Sequence, residues 1–125
     1  MEPSPEIKEL ILQLFDKEEN GEVLEFARSL YSNQEGVILI GNNQDQWLSK
    51  HNSIIELYGD SPHGGWTMSI IDLQAYREGT VGWAMDRMIV KMADGQEIPL
   101  RHTFVLHWES GMWKIVHTHV SLGTS

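Results

Sequence analysis

The stretch HTFVLHWESGMWKIVHTHVS, residues 102–121, determines how the rest of this 125-residue chain is interpreted. Two runs of β-branched and aromatic residues flank Ser110-Gly111, a pair typical of a two-residue hairpin loop. Such a loop makes Glu109 pair with Met112, and this pairing sets the register of both strands. One face then carries the bulkier pairs, which we expect to point inward: Trp108 with Trp113, Leu106 with Ile115, Phe104 with His117, and His102 with His119.

The strand before this hairpin brings a carboxylate towards the same face. If residues 94–96 form a three-residue loop, Asp86 lies opposite Phe104 and diagonal to His102. A two-residue turn at Asp94-Gly95 would move Asp86 to the other face, because a shift of one residue reverses the alternation of side chains. The sequence leaves both registers open.

Upstream of these strands, the apolar residues recur with helical spacing. Ser4-Pro5 is a helix start, and the periodic pattern continues to about residue 18. A second, short helix is predicted from Val23 to Tyr31, followed by a short buried strand over residues 36–41. A third helix, capped by Asn42 or Asn43, would then place these residues on one face before a glycine ends it: Trp47, Leu48, His51, Ile54, Ile55 and Tyr58.

Turn residues dominate from Gly59 to Gly65, and the chain from Trp66 onwards has strand chemistry. Helices that precede an antiparallel meander predict the α+β class, because such a sheet must cover one apolar face. We therefore expect one domain over residues 1–125, with helices in about 5–58 and the sheet in about 66–122. The main strands are predicted at about 68–77, 80–92, 97–108 and 113–121.

Composition excludes several classes of function. Nine Lys and Arg against eighteen Asp and Glu give a net charge of −9, the wrong sign for nucleic acid or an anionic membrane surface. The chain has no Cys, which excludes a disulfide scaffold, a thiolate nucleophile and a Cys-based metal site. No apolar run is long enough to span a membrane, so we expect a cytoplasmic protein without a membrane partner.

The closing strand also carries a family pattern. Residues 113–121 read W-x-x-V-H-x-H-x-S, which resembles the end of SnoaL-like domains of the nuclear-transport-factor-2-like superfamily. The same strand is similar to the association (hub) domain of calcium/calmodulin-dependent protein kinase II. Further similarities lie in the strand at 36–41 followed by Trp47, in Gly79-Thr-Val-Gly-Trp83, in Asp94-Gly95 and in Thr103-Phe-Val-Leu106.

This resemblance implies a cystatin-like cone, in which a curved antiparallel sheet wraps around three N-terminal helices and a pocket opens at the mouth. It also implies dimers or larger rings. Hub domains carry pocket arginines at two positions where this chain has Met88 and Phe104, so the pocket is expected to be more apolar. The superfamily hosts many functions, and the fold alone names none of them.

Aromatic and histidine side chains on the predicted inner face define a candidate small-molecule pocket. Asp86 as the base and His102 as its partner could form an acid/base pair, because burial raises the pKa of an Asp and a neighbouring imidazole accepts or orients the proton. His117 or Tyr76 would donate to a developing oxyanion. For His51, its place on the buried stripe of the third helix favours a core histidine bonded to the main chain over a catalytic one. The ligand-binding set is Trp47, His51, Tyr76, Met88, Phe104, Leu106, Trp108, Trp113 and His119.

Three functions follow from this pocket and its family. The first is a domain that binds a small, mostly apolar molecule, and the second is an isomerase, lyase or cyclase that uses the Asp86–His102 pair. In both, no cofactor is expected. His102, His117 and His119 could together hold zinc, but the resembled domains are not generally metal-dependent, so no metal is expected either.

The third function is that of a homo-oligomerisation module. The outer sheet face is expected to carry more β-branched residues than a solvent face requires, and a second copy would pack there. Val116→Glu is then expected to weaken association. The outer residues in this interpretation are Thr103, Val105, Val116, Thr118 and Val120.

Overall fold

The computed structural model describes residues 1–60 and 65–123. Its helices are α1 (Pro5–Glu19), α2 (Val23–Leu30) and α3 (His51–Asp60). The predicted start of α1 is confirmed, because the Ser4 hydroxyl accepts a hydrogen bond of 3.2 Å from the Ile7 N–H and Pro5 opens the first turn. In the predicted turn from Gly59 to Gly65, residues 61–64 lie outside the described part of the chain. Among the described residues, no helix has the length and apolar character needed to cross a membrane.

In the described part of the chain, seven strands form one sheet in the order β1-β4-β5-β6-β7-β2-β3. The four long strands run antiparallel and match the predicted meander. The short strand β2 pairs in parallel with β7, which makes the sheet mixed. The α+β class, with three helices and a curved, unclosed sheet, is confirmed. The strands are β1 (Glu2–Pro3), β2 (Ile38–Ile40), β3 (Trp47–Leu48), β4 (Trp66–Glu78), β5 (Val81–Met92), β6 (Glu97–Glu109) and β7 (Met112–Leu122).

The third helix begins later than its apolar pattern predicted. Trp47 and Leu48 form β3, which pairs with β2, and α3 starts only at His51. A turn closed by the Gln46 N–H on the Asn43 carbonyl, 3.0 Å, replaces the expected helix cap. Trp47 is therefore 64% exposed on a short strand instead of buried on a helix.

The β5–β6 register places Asp86 directly opposite His102. The loop has three residues, as expected, but lies one position earlier, since the Met92 N–H bonds to the Gln96 carbonyl at 2.8 Å. That difference moves the pairing by two residues, which preserves the face on which each side chain lies. Asp86 consequently points inward, as expected for a three-residue loop between β5 and β6.

The β6–β7 register follows the prediction only near the hairpin loop. Pairing runs as expected from Glu109–Met112 to Leu106–Ile115, but a bulge at Val116 then makes Val105 pair with His117. An extra residue in one strand reverses the alternation beyond it. The predicted pairs of Phe104 with His117 and His102 with His119 are therefore wrong.

Beyond the bulge, the two faces of β7 are exchanged relative to the prediction. Phe104 lies opposite Thr118 and His102 opposite Val120, so Thr118 and Val120 point inward and not outward as expected. Thr118 is buried, and His119 is exposed. His117 and His119 therefore lie on the outer face.

The core fills the space between α1, α2, α3 and the inner face of the sheet. From α1 it receives Ile7, Ile11, Leu14 and Phe15. Gly82 permits the close approach of α1 to β5, because a Cβ at this position would lie 2.2 Å from the Ile7 Cδ1 atom. Helix and sheet thus meet tightly at one end and leave a cavity at the other.

Candidate functional site

A cavity of about 190 Å³ lies between the C-terminal half of α1, helix α3, the β2–β3 connection and the inner face of β6 and β7. Its apolar wall consists of Phe15, Leu39, Leu57, Leu100, Phe104 and Val120. Its polar wall consists of Glu18, Asn42, Gln46, Tyr58, His102 and Thr118. An apolar pocket with a few converging polar groups is typical of small-molecule sites.

An open apolar groove of about 530 Å³ adjoins this cavity. The two spaces share the wall residues Glu18, Asn42, Leu100 and Val120. The remaining wall of the groove is Trp66, Met68, Val90, Met92, Gln96, Ile98 and Leu122. A ligand held in the cavity can therefore extend an apolar portion into the groove.

The imidazole of His102 is held in one orientation by its neighbours. Its Nδ1 lies 2.9 Å from Asp86 Oδ1, and the exposed fractions of the two side chains are 11% for His102 and 0% for Asp86. The ring stacks on that of Phe104, with 5.6 Å between the ring centroids and 9° between the ring planes. The centroid of the Phe15 ring lies 5.3 Å from that of His102. Because Nδ1 is occupied, Nε2 is the ring nitrogen left for a ligand.

The second oxygen of the Asp86 carboxyl is buried, and no described residue donates a hydrogen bond to it. An unpaired buried carboxylate oxygen costs free energy, so such a group is seldom kept for stability alone. The Asp86–His102 pair therefore fixes a histidine on the cavity wall, with its Nε2 atom left as a possible proton acceptor.

Glu18 is a second ionisable group in the cavity wall, on the last turns of α1. Burial and, to a lesser degree, the Asp86 carboxyl raise the pKa of Glu18 from 4.5 to about 8. At neutral pH most molecules therefore carry Glu18 as the neutral acid, which can donate a proton. The cavity wall thus contains Glu18 as a possible proton donor and His102 as a possible proton acceptor.

Three hydroxyl groups form a chain at the side of the cavity. The Tyr31 hydroxyl lies 2.8 Å from the Tyr58 hydroxyl and 2.8 Å from Thr118 Oγ1. Tyr58 and Thr118 line the cavity, whereas Tyr31 is 2% exposed and lies behind them. Burial raises the pKa of both Tyr31 and Tyr58, so both phenols stay protonated and available as donors.

The model of the SnoaL-like domain family matches residues 7–125. The chain belongs to the SnoaL-like domain family. The resemblance seen in the closing strand is therefore confirmed. No curated protein matches the chain.

Solved structures with the nuclear-transport-factor-2-like fold resemble this SnoaL-like domain. A candidate dehydratase of that family from Streptomyces avermitilis superposes with a TM-score of 0.79 and 13% identity, over 95% of this chain and 94% of that one. A candidate ketosteroid isomerase from Parabacteroides distasonis gives 0.75 and 16%, over 94% and 89%. The association domain of calcium/calmodulin-dependent protein kinase II from C. elegans gives 0.73 and 13%, over 92% of each chain. At these identities the likeness shows the shared fold alone.

Among the residues predicted to form the site, the SnoaL-like domain places His102 and Phe104 on the cavity wall. Asp86 does not line this cavity, and its carboxyl bonds to the imidazole of His102. The other inward residues are part of the core or lie at the far end of the sheet. They are Met88, Leu106 and Trp113, which are buried away from the cavity, and Trp108, which is 39% exposed beside the hairpin loop.

The remaining predicted site residues lie elsewhere on the domain. Tyr76 stacks on Trp83 on the outer face, with 6.3 Å between ring centroids. The ring of His51 bonds through Nε2 to the Arg28 carbonyl at 3.1 Å, which agrees with the alternative of a structural histidine. Neither His51 nor the exposed Trp47 belongs to the cavity wall.

The bulge also separates the three histidines that were considered as a zinc site. His102 points inward, while His117 and His119 lie on the outer face. In residues 1–60 and 65–123, no group of three or more His, Cys, Asp or Glu side chains could hold a metal ion. Partial burial and the neighbouring His119 lower the pKa of His117.

Sequence reasoning missed Glu18, Tyr31, Tyr58 and Thr118 as parts of the site. The sequence contained a feature that could have identified Tyr58, because this residue belongs to the apolar face of the third helix and has a polar hydroxyl at its tip. No sequence feature identified Glu18, since it is one of many acidic residues near the N-terminus. Thr118 was assigned to the outer face because a bulge is not visible in the alternation of residue types.

Proposed function

We propose that this SnoaL-like domain binds a small, mostly apolar molecule in its cavity and transfers a proton to or from it, as an isomerase or a dehydratase does. The observation that carries this proposal is the hydrogen bond of 2.9 Å between His102 and the fully buried Asp86 carboxyl. It holds one side chain of the cavity wall as a general base.

Asp86 acts on the ligand through His102. Its carboxylate accepts a hydrogen bond from Nδ1–H, which leaves the lone pair of the imidazole on Nε2. When Nε2 takes a proton, the adjacent carboxylate stabilises the imidazolium that forms. This arrangement differs from the roles predicted from the sequence, in which Asp86 itself removed the proton.

Glu18 supplies the complementary acid. Because its pKa is about 8, it is mostly protonated at neutral pH and can donate to an oxygen atom of the ligand. Two ionisable groups with opposite protonation states in one cavity are typical of acid/base catalysis. Dehydration needs such a pair, since one group removes a proton from carbon while the other protonates the departing hydroxyl.

The dimensions of the site limit the ligand. A volume of about 190 Å³ corresponds to about six water molecules, so only a compact reactive group fits inside. The adjoining groove of about 530 Å³ accepts an apolar extension. The names of the similar candidate dehydratase and candidate ketosteroid isomerase are consistent with this chemistry.

Proton transfer is tested with enolisable ketones as probes, because their α-hydrogens exchange with solvent. The purified protein is incubated in D₂O with acetophenone or cyclohexanone, and deuterium incorporation is followed by NMR. We expect His102→Gln to lower the exchange rate by about 10²-fold or more. The control is His119→Gln, which alters an exposed histidine on the outer face and should leave the rate unchanged.

Absence of exchange with either ketone in the wild-type protein, or equal rates in the wild type and His102→Gln, would contradict catalysis by His102. Native mass spectrometry of the same protein separates binding from catalysis. A retained organic molecule without exchange activity would leave a binding domain as the function.

A second proposal concerns assembly. The outer sheet face carries half-buried Trp83, Val105 and His117 in one row across three strands. Such a face can pack against a second copy, and the similar association domain supports this arrangement. We propose that the domain forms a homodimer or a larger ring through this face.

A further inference from the structure

A second pocket lies at the other end of α1 from the cavity that the proposed function uses. Its volume is about 150 Å³, and it shares no wall residue with that cavity. Glu6 lines the second pocket and Glu18 the first, and the helix rises by about 18 Å between these two residues. The two spaces are therefore separate sites.

Most of the wall of this second pocket is apolar. It is built by side chains of α1, α2 and the start of β7, namely Leu10, Phe26, Leu30, Met112 and Trp113. Glu6 and Ser29 add a carboxylate and a hydroxyl, and the described wall contains no Lys or Arg. An apolar cavity of about this size can hold a molecule as large as benzene.

The indole N–H of Trp113 is a buried donor without a partner among the described residues. Trp113 is 3% exposed, and no described group accepts a hydrogen bond from its Nε1 atom. An indole nitrogen can only donate, and a buried tryptophan usually gives this proton to an acceptor. Because an unpaired buried donor costs stability, the site favours a ligand that supplies an acceptor.

The orientation of the ring directs this N–H towards the second pocket. Cζ3 and Nε1 lie at opposite edges of an indole, and Cζ3 faces β5, 3.4 Å from the position that a Cβ on Gly82 would occupy. On the other side of β7 lies the end of α2, where Tyr31 bridges Ile115. Nε1 therefore points towards α2, the helix that contributes Phe26, Ser29 and Leu30 to the pocket wall.

The ring of Trp113 is also held in place by its neighbours. Trp108 packs against it edge to face, with 5.2 Å between the ring centroids and 72° between the ring planes. Gly82 lets the far edge of the ring approach β5 closely. A donor that is already fixed loses little further freedom when a ligand accepts its proton, so this geometry favours binding.

We propose that this pocket is a second small-molecule site, which binds an uncharged apolar molecule by one acceptor atom held at the Trp113 N–H. A nitrile nitrogen or an ether oxygen is such an acceptor. The carboxylate of Glu6 disfavours an anion, since the described wall supplies no cation to balance the charge. The remainder of the molecule is covered by the apolar wall. The site is independent of proton transfer at His102.

The test uses benzonitrile and phenylacetylene, two probes of nearly equal shape in which a nitrile nitrogen is replaced by C–H. Binding is followed by NMR through the ¹³C-methyl signal of Met112 and the ¹⁵N-indole signal of Trp113, both in the pocket wall. These local signals report on this pocket even when a probe also enters the other cavity. We expect benzonitrile to bind about 2- to 12-fold more tightly than phenylacetylene, as one hydrogen bond would give, and to move the indole proton downfield.

Trp113→Phe removes the donor, and the preference for benzonitrile should disappear at the Met112 signal. The ratio of two probes of nearly equal shape cancels the accompanying change in pocket size. Leu10→Trp should fill the pocket and lower the affinity for both probes by about 10-fold or more, because their apolar contacts are lost. The matched control is Leu12→Trp, at a half-buried position of the same helix outside the described wall, and it should leave both affinities unchanged. Circular dichroism verifies that each variant is folded.

Several outcomes would overturn this site without touching the proposed function. They are the absence of a saturable shift with either probe, equal affinities of the two probes in the wild type, and a preference for benzonitrile that persists in Trp113→Phe. A nuclear Overhauser contact of the indole proton with water that remains at saturating benzonitrile would make water the acceptor and overturn it too. Signals that respond to protein concentration and not to the probes would assign the pocket to a second copy of the chain instead.

Discussion

Replacement of Glu18 by Gln should abolish a pH dependence of stability that a single carboxyl imposes on the folded protein. The pKa of Glu18 is about 8 in the folded protein, and 4.5 is the ordinary value. Between these limits the folded protein retains a proton that the unfolded chain has released. The free energy of unfolding therefore falls as the pH rises from about 4.5 to 8, and it is constant outside this window as far as Glu18 is concerned.

The size of this effect follows from the same two values. Each pH unit in the window is worth at most about 1.4 kcal/mol, which gives an upper limit of about 5 kcal/mol. Because Glu18 is only half-buried, solvent screens part of the penalty, and we expect a loss of about 2–3 kcal/mol. Gln has nearly the same shape and no charge, so Glu18→Gln should show no such loss.

The assay is urea unfolding of the wild type and the variant at pH 5 and pH 9. We expect nearly equal free energies of unfolding at pH 5 and a variant that is about 2–3 kcal/mol more stable at pH 9. Glu9→Gln, an exposed position on the same helix, is the matched control and should behave as the wild type. The reasoning is refuted if Glu18→Gln differs from the wild type by the same amount at both pH values.

Three further perturbations test other parts of the structure. Asp86→Asn should keep the fold but lower α-proton exchange by about 10²-fold or more, because an amide cannot hold the same tautomer of His102 or stabilise its charged form; an unchanged rate by NMR would exclude the orienting role. Val105→Glu should reduce the mass measured by light scattering to that of a monomer, since it places a charge in the centre of the outer face; an unchanged mass would exclude that interface. Gly82→Ala should destabilise the protein by about 1–3 kcal/mol in thermal or urea unfolding, because the new methyl group clashes with Ile7; Ile7→Val in the same chain should recover part of the loss, and a lack of any effect would contradict the close approach of α1 to β5.

Features local in the sequence were sufficient to predict much of the fold. The cap at Ser4-Pro5, the loop at Ser110-Gly111 and the four long strands each depend on residues close in sequence, and all are present in the structure. The inward direction of His102 also followed from the hairpin loop. The family pattern of the closing strand extended these local features to the whole chain, as the match over residues 7–125 confirms.

Tertiary structure decided which side chains meet in the cavity. The bulge at Val116 exchanged the faces of β7, so that Thr118 points inward and His117 and His119 point outward. Trp47 lies on a strand and not on the predicted helix, because it pairs with β2. Neither event has a local signal, since a bulge and a non-sequential strand pairing depend on residues far apart in the chain.

The difference between what the sequence determines and what the tertiary structure decides is clearest for the ionisable groups. The sequence by itself determined that a carboxylate and a histidine of adjacent strands can share a face, because strand alternation has a fixed period of two. Only the tertiary structure brought Glu18 of α1 within the electrostatic influence of Asp86. It also joined Tyr31, which follows α2, to Tyr58 of α3 and Thr118 of β7. Burial and charge act through space, so the protonation states that govern this site emerge only when the helices close over the sheet.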